Sequence, residues 1–213
     1  MLGHDLSPAE RRKVTEAITR AERATDGEIV VVAARASDDY IHVPVHIAAG
    51  VALAVPLFVP LLARLAPWSA ISIHWLFVVQ LCVFIAVALL LSLPALRHAV
   101  TPRKLMHKYA HRNAAAQFLA TNIAATRART GILIFVSLLE RYVEVIGDKA
   151  IADKLSQADW QKIIDDMVPL LREKKATDAL VLGVDRCGAL LARHFPASKD
   201  NPNELPDHFI VLE

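Results

Sequence analysis

Between Val43 and Leu96 the chain carries two long apolar runs, and these limit what it can fold into more than any other feature. From Val43 to Ala63 the only strongly polar side chain is His46, and from Ala70 to Leu96 the exceptions are Ser72, His74, Gln80 and Ser92. A helix needs about 20 mostly apolar residues to cross the hydrocarbon core of a bilayer, so each run is long enough. Between them, Arg64-Leu65-Ala66-Pro67-Trp68-Ser69 reads as a short turn at headgroup level, with Trp68 as its interfacial anchor. The expectation is a transmembrane hairpin over residues 43–96, with spans at about 43–65 and 70–96.

Two crossings bring the chain back to its starting side, so residues 1–42 and 97–213 are expected to close into one discontinuous domain. The alternative is a pair of buried helices in a soluble core. It leaves only about 160 residues to cover two helices that are apolar all round. Pro44, Pro56 and Pro60 argue the same way. An interior proline costs a water-soluble helix about 3 kcal/mol, whereas lipid-embedded helices tolerate it better. His46 and His74 each lie within a turn or two of a span end, where their rings can reach the interface.

With 213 residues, 54% of them hydrophobic, and a mean hydropathy of +0.37, the chain fits one modest domain plus a membrane element. A net charge of +2 gives no reason to expect a nucleic-acid partner. The charge is unevenly placed, however: Arg97, Arg103, Lys104, Lys108 and Arg112 follow the second run, Arg23 and Arg35 precede the first, and the turn holds Arg64 alone. The positive-inside rule then puts the polar domain and both termini in the cytoplasm. Arg97, Arg103, Lys104, Lys108 and Trp68 become the membrane-interface residues, placed to meet lipid headgroups. Cys82 falls mid-span and Cys187 in a helical pattern, so no disulfide framework is implied. The opening Met1–Asp5 has no apolar region of the kind a cleavable signal requires.

Outside the hairpin, Ser7-Pro8-Ala9-Glu10 is a capping box with proline at the first helical position, and Val14, Ala17, Ile18 and Ala21 form the buried face that follows. Gly27 reads as the helix terminator. Glu28–Arg35 is a continuous β-branched run, the pattern of a central strand in a parallel pair. A helix from Thr101-Pro102 through Ala125 is expected to face the sheet through Ala115, Phe118, Leu119 and Ile123. Gly131–Ser137 and Arg141–Gly147 are two more strands joined by a hairpin. A short helix at 150–155, one capped at Ser156 and kinked or split at Pro169, and one capped by Thr177-Asp178 complete the pattern, with an irregular tail from Pro196 to Pro206. The fold class is α/β: a small mixed sheet flanked by helices and interrupted by the hairpin.

Arg129-Thr130-Gly131-Ile-Leu-Ile-Phe-Val-Ser137, then Glu140-Arg141-Tyr-Val-Glu-Val-Ile-Gly-Asp148, resemble the TPM domain family. Leu6-Ser-Pro-Ala-Glu10, Gly27-Glu-Ile-Val-Val-Val32, His194-Phe-Pro196 and Asn203-Glu-Leu-Pro206 are similar to a bacterial, membrane-inserted branch of it. The resemblance implies a three-layer α/β fold in a multi-pass protein of the bacterial inner membrane. Relatives are associated with photosystem II repair, receptor accessory roles, a proposed acid phosphatase activity and divalent-cation binding. The chain departs from the commoner pattern at Arg129-Thr130, where a small polar pair is usual, and at Lys149-Ala150, where further glycine is usual.

No P-loop, Gly-x-Ser-x-Gly, His-Glu-x-x-His or Cys-x-x-Cys motif is present, so the residues nominate no catalytic group. Asp38 and Asp39 follow the first strand and share a sheet end with Ser137 and Glu140, where a hard cation such as Ca²⁺ or Mg²⁺ would find oxygen ligands. Asp148 falls at the opposite end, near Arg127, Arg129 and Thr130, and is expected to ion-pair. His107 and His111 have the helical spacing of zinc ligands, but no acidic or thiol partner is near in sequence, and a solvated or headgroup-facing pair is the simpler expectation. The leading functional expectation is a non-catalytic, membrane-anchored adaptor or assembly and quality-control factor. Its partners would be lipid and another membrane protein, or a second copy of the chain. The alternatives are a divalent-metal-assisted phosphatase using Asp38, Asp39 and Glu140, and a subunit of an oligomeric transporter.

Overall fold

The first helix, α1 (Pro8–Glu22), starts as its capping box requires: Glu10 N–H donates to the Ser7 hydroxyl at 3.3 Å, and the Glu10 carboxylate accepts Ser7 N–H at 2.8 Å. In the computed structural model, which describes residues 6–63, 73–126, 128–198 and 209–212, the chain continues through β1 (Glu28–Ala34), α2 (His42–Ala63), α3 (Ile73–Ser92), α4 (Pro94–Val100) and α5 (Arg103–Ala120). A 3-10 turn at Ile123–Ala125 leads to β2 (Gly131–Ser137), β3 (Tyr142–Gly147), α6 (Lys149–Ala152), α7 (Gln157–Arg172), α8 (Ala176–His194) and β4 (Phe209–Leu212). Residues 1–38 with 106–213 form one compact unit and residues 39–105 a second.

The first unit is built on a four-stranded sheet of order β3-β2-β1-β4. β1 runs parallel to β2, with Glu28 opposite Gly131 and Ala34 opposite Ser137, and parallel to β4; β2 and β3 are antiparallel. Every residue of β1 and β2 is buried, which is why both read as unbroken apolar runs. Successive side chains point to opposite faces. Ile29, Val31 and Ala33, with Ile132, Ile134 and Val136, pack under α1, α7 and α8. Val30, Val32 and Ala34, with Leu133 and Phe135, pack against Ala110 and Ala114 of α5 and against Ile123. The result is the mixed α/β sheet between helices that the strand pattern leads one to expect.

Several local expectations give way to tertiary structure. β4 lies beyond the tail expected to be irregular, of which residues 199–206 lie outside the described residues, and its four half-buried residues gain their partner only by pairing with β1. The buried stripe of α5 is Met106, Ala110 and Ala114, whereas Leu119 is 74% exposed and Ala115 is exposed too. That helix stops at Ala120, and Asn122 takes a left-handed φ of 54° ahead of the 3-10 turn. Gly27 does not end α1, which is closed by Arg23; a Cβ there would stand 2.9 Å from Leu191, so glycine lets the chain pass close to α8. Pro169 sits inside α7 without splitting it, since the helix runs on to Arg172. Thr177 does not cap α8, which begins one residue earlier; its hydroxyl donates to Glu10 at 3.1 Å, tying α8 to the start of α1.

In the second unit α2 and α3 pack on each other, and α2 also meets α4. The small residues Ala48 and Ala52, one turn apart, are the buried part of α2's middle. α3 buries none of its residues and is the one described helix long and apolar enough to cross a membrane; the apolar stretch described in α2 is the shorter His42–Phe58. The second apolar run breaks at Leu93, where Pro94 starts α4. Tyr40, at a left-handed φ of 52° and fully buried, stands edge-on to His98 of α4, with ring centroids 6.1 Å apart. Arg64 and Trp68 lie outside the described residues.

Two glycines in α8 set how closely its neighbours approach. A Cβ at Gly188 would lie 2.6 Å from the Cβ of Ala21, and one at Gly183 would lie 2.6 Å from the sulfur of Met167. Ala21 is short and rigid, whereas Met167 can swing aside. Gly188→Ala is therefore expected to destabilise by about 1–3 kcal/mol through overpacking. Gly183→Ala should be close to neutral, because the better helix propensity of alanine, about 1 kcal/mol, offsets the adjustment of Met167. Denaturant titration of the two variants checks this, and equal losses would contradict the packing assigned to α8.

Candidate functional site

β1 and β2 end together, and the chain beyond them folds into a small polar knot. The parallel ladder is extended past the strands by Leu138 N–H to Ala34 O (2.9 Å) and Leu139 N–H to Arg35 O (3.1 Å). Arg141 then takes a left-handed φ of 52° to turn into β3, leaving Glu140 folded back over the strand end. Ser37 Oγ donates to Ser137 Oγ at 2.9 Å, Ser137 Oγ donates to Glu140 Oε2, and Ser37 N–H donates to Glu140 Oε1 at 2.9 Å. Ser137 is fully buried and Glu140 is 6% exposed. A buried carboxylate is costly unless its oxygens are satisfied, and this closed ring of donors satisfies them.

Of the residues the sequence nominated at this end, Ser137 and Glu140 are brought together. Asp38 is half-buried next in line after Ser37, and Asp39 is exposed. Among the described residues no three His, Cys, Asp or Glu side chains gather closely enough to hold a metal ion. A hard cation at Glu140 would have to displace the serine donors first, since it needs the same lone pairs. Ser37 is the member that the sequence did not nominate: it and Glu140 are 103 positions apart, and only the parallel register makes them neighbours.

At the other end of β2, Asp148 makes the expected ion pair. Arg129 Nε and an Nη reach its two oxygens at 2.6 and 2.8 Å, from a backbone φ of 55° at Arg129. Asp148 also caps α6, accepting Lys149 N–H at 2.7 Å, while its own N–H donates to Gly131 O at 2.9 Å. Arg127 lies outside the described residues. The Arg129 hydrogen bonds hold the Asp148 carboxyl below its ordinary range, against the opposing effect of burial.

Of the basic residues assigned to the interface, Arg103, Lys104 and Lys108 are exposed on α5 and Arg97 is half-buried on α4. Arg112 lies over the ring of Tyr109, 5.8 Å from its centroid. The described part of α5 contains no acidic residue. Further along, His111 Nδ1 stands 2.9 and 3.1 Å from the two oxygens of Glu144 on β3, a partner invisible in the sequence because it lies 33 positions away.

Residues 98–190 match the family model of the TPM domain, so the resemblance read from the sequence is shown over α5, β2, β3, α6, α7 and most of α8. Among solved structures, the NMR structure of BA42 protein from the psychrophilic bacterium Bizionia argentinensis is similar, with a TM-score of 0.61 over 99% of this chain and 98% of that one. At 18% identity the likeness is one of fold. No curated protein matches the sequence.

The depressed Asp148 fixes the sign of a pH effect. Its contribution is fully present above the unfolded-state value of about 3.9 and is lost as pH falls through the lower folded value. Asp148→Ala is expected to destabilise by about 1–2 kcal/mol near neutral pH, the scale of a lost N-cap. The gap to the wild type should narrow below about pH 4. Thermal unfolding across pH 3–7 reads both; a gap independent of pH would contradict the ion-pair assignment.

Proposed function

We propose that this chain is a membrane-anchored TPM-domain protein, with α2 and α3 crossing the bacterial inner membrane as a hairpin. Its α/β unit then serves as a non-catalytic adaptor for another membrane protein, in an assembly or quality-control role. The observation that carries the reading is α3, whose 20 residues include no charged side chain and none that is buried. An all-round apolar helix of that length, none of whose residues is buried even with α2 packed on it, has lipid as its natural solvent. α2 supports the second crossing: its 22 residues extend about 33 Å at 1.5 Å per residue, against a hydrocarbon core of about 30 Å.

Arg97, Arg103, Lys104 and Lys108 follow α3 or lie within the next two helices, whereas Arg64 stands alone between the two apolar helices. That asymmetry favours a cytoplasmic α/β unit. The adaptor role is supported by the state of the strand-end carboxylate. Glu140 is held by Ser37 and Ser137 rather than presented to a substrate.

Two measurements on the full chain test the reading. Expressed in bacteria, the protein should stay in carbonate-washed membranes and leave them only with detergent; release by carbonate would remove the membrane assignment. Detergent-purified protein supplied with Mg²⁺ or Ca²⁺ should leave p-nitrophenyl phosphate intact. Turnover abolished by Asp38→Ala with Asp39→Ala would replace the adaptor reading with a metal-assisted phosphatase.

A further inference from the structure

His107 and His111 stand one turn apart on the exposed side of α5. Helix neighbours at this spacing have Cβ atoms about 5–6 Å apart, the arrangement by which two imidazoles share one ion. What the sequence lacked was a third donor, and the fold supplies it from β3. Glu144 is 19% exposed and meets His111 Nδ1 with both oxygens, at 2.9 and 3.1 Å. Tyr142, two residues earlier on the same face of β3, donates its hydroxyl to Glu144 Oε2 at 2.9 Å. The His107 ring in turn packs on the Tyr142 ring, with centroids 5.3 Å apart. Four side chains from two elements thus form one connected patch, and its nitrogen and oxygen donors belong to His107, His111 and Glu144.

We propose that His107, His111 and Glu144 form a binding site for a borderline divalent transition-metal ion, Zn²⁺ in the first instance, which clips α5 to β3. Two nitrogens and one carboxylate suit Zn²⁺, Ni²⁺ or Co²⁺, whereas Ca²⁺ and Mg²⁺ favour oxygen-rich sites. Ligand atoms bound to a tetrahedral zinc at 2.0–2.1 Å lie about 3.3 Å apart, so His111 and Glu144, now 2.9 Å apart, have to separate and turn off the line of their hydrogen bond to admit the ion. As the side chains stand, no three donors converge, because His107 leans on Tyr142 instead of toward Glu144. Binding therefore also requires the exposed His107 ring to leave Tyr142 for another rotamer. Water fills the fourth position.

Tyr142 has a positioning role. Its hydroxyl donates to Glu144 Oε2 at 2.9 Å and so fixes the orientation of the carboxylate. Ligating carboxylates are commonly oriented by such a donor. The site belongs wholly to the α/β unit and does not depend on the membrane reading.

Isothermal titration of Zn²⁺ and of Ni²⁺ into the full chain in detergent, carrying no histidine tag, tests the proposal. The expected result is one equivalent bound, with affinity reduced at least 10-fold by His107→Ala, His111→Ala or Glu144→Gln and about 10-fold by Tyr142→Phe. His194→Ala, at an exposed histidine on α8, should change nothing. Co²⁺ should give the visible bands of a tetrahedral ion in the wild type and not in His111→Ala, a readout that also shows the variant is otherwise folded by its circular dichroism. No saturable binding, binding unchanged in His111→Ala, or a preference for Ca²⁺ over Zn²⁺ would overturn it.

Discussion

A helix that is apolar on every side and buries none of its residues has no stable place in water, and the membrane reading proposed for this chain rests on that constraint. α3 exposes Trp75, Phe77, Leu89 and Leu90 among others, each more than half accessible. Burying one such side chain is worth about 1.5–3 kcal/mol, so leaving a whole helix of them in water would cost far more than a domain's net stability. In the proposed reading lipid removes the penalty, and the chain leaves the sheet after β1 and comes back to it. The strand on which it comes back is β2, and the parallel pairing of β1 with β2 bridges 103 positions of sequence.

That pairing explains the polar chemistry at both ends of the sheet. Parallel strands need a long crossover, and the crossover leaves each strand end to be closed by whatever residues arrive there. At one end Ser37 arrives beside Ser137, and Glu140 folds back to complete a ring of hydrogen bonds. At the other, Arg129 and Asp148 close the entry to β2 and start α6. Both knots are satisfied internally. Each therefore accounts for acidic residues that would look reactive if seen as isolated letters.

The sequence displayed those parts of the fold whose cause is local or periodic. The Ser7–Glu10 cap, the Val14–Ala21 face and the two fully buried strands all follow from spacing within one element. Missing from it were features whose cause lies elsewhere in the chain. β4 is a short strand, recognisable only through its pairing with β1. The close seat of Gly188 on Ala21 and the donation from Thr177 to Glu10 depend on how α8 meets α1. His107 and His111 were legible as a spacing, but Glu144 became their neighbour only once β3 was laid beside α5. For the candidate site, the acid positions and Ser137 were visible in advance, and Ser37, which also donates to Glu140, was not.

The most direct test of the account is a nitroxide scan of α3 in reconstituted vesicles, with single labels at positions 77, 81, 85 and 89 in place of Phe77, Leu81, Ile85 and Leu89, which step along one exposed face. Each label should collide readily with oxygen and hardly at all with a water-soluble nickel reagent, the contrast being greatest at positions 81 and 85. Labels that meet the nickel reagent freely, or that are shielded from both, would mean that water or protein surrounds this helix, and the membrane reading would fall.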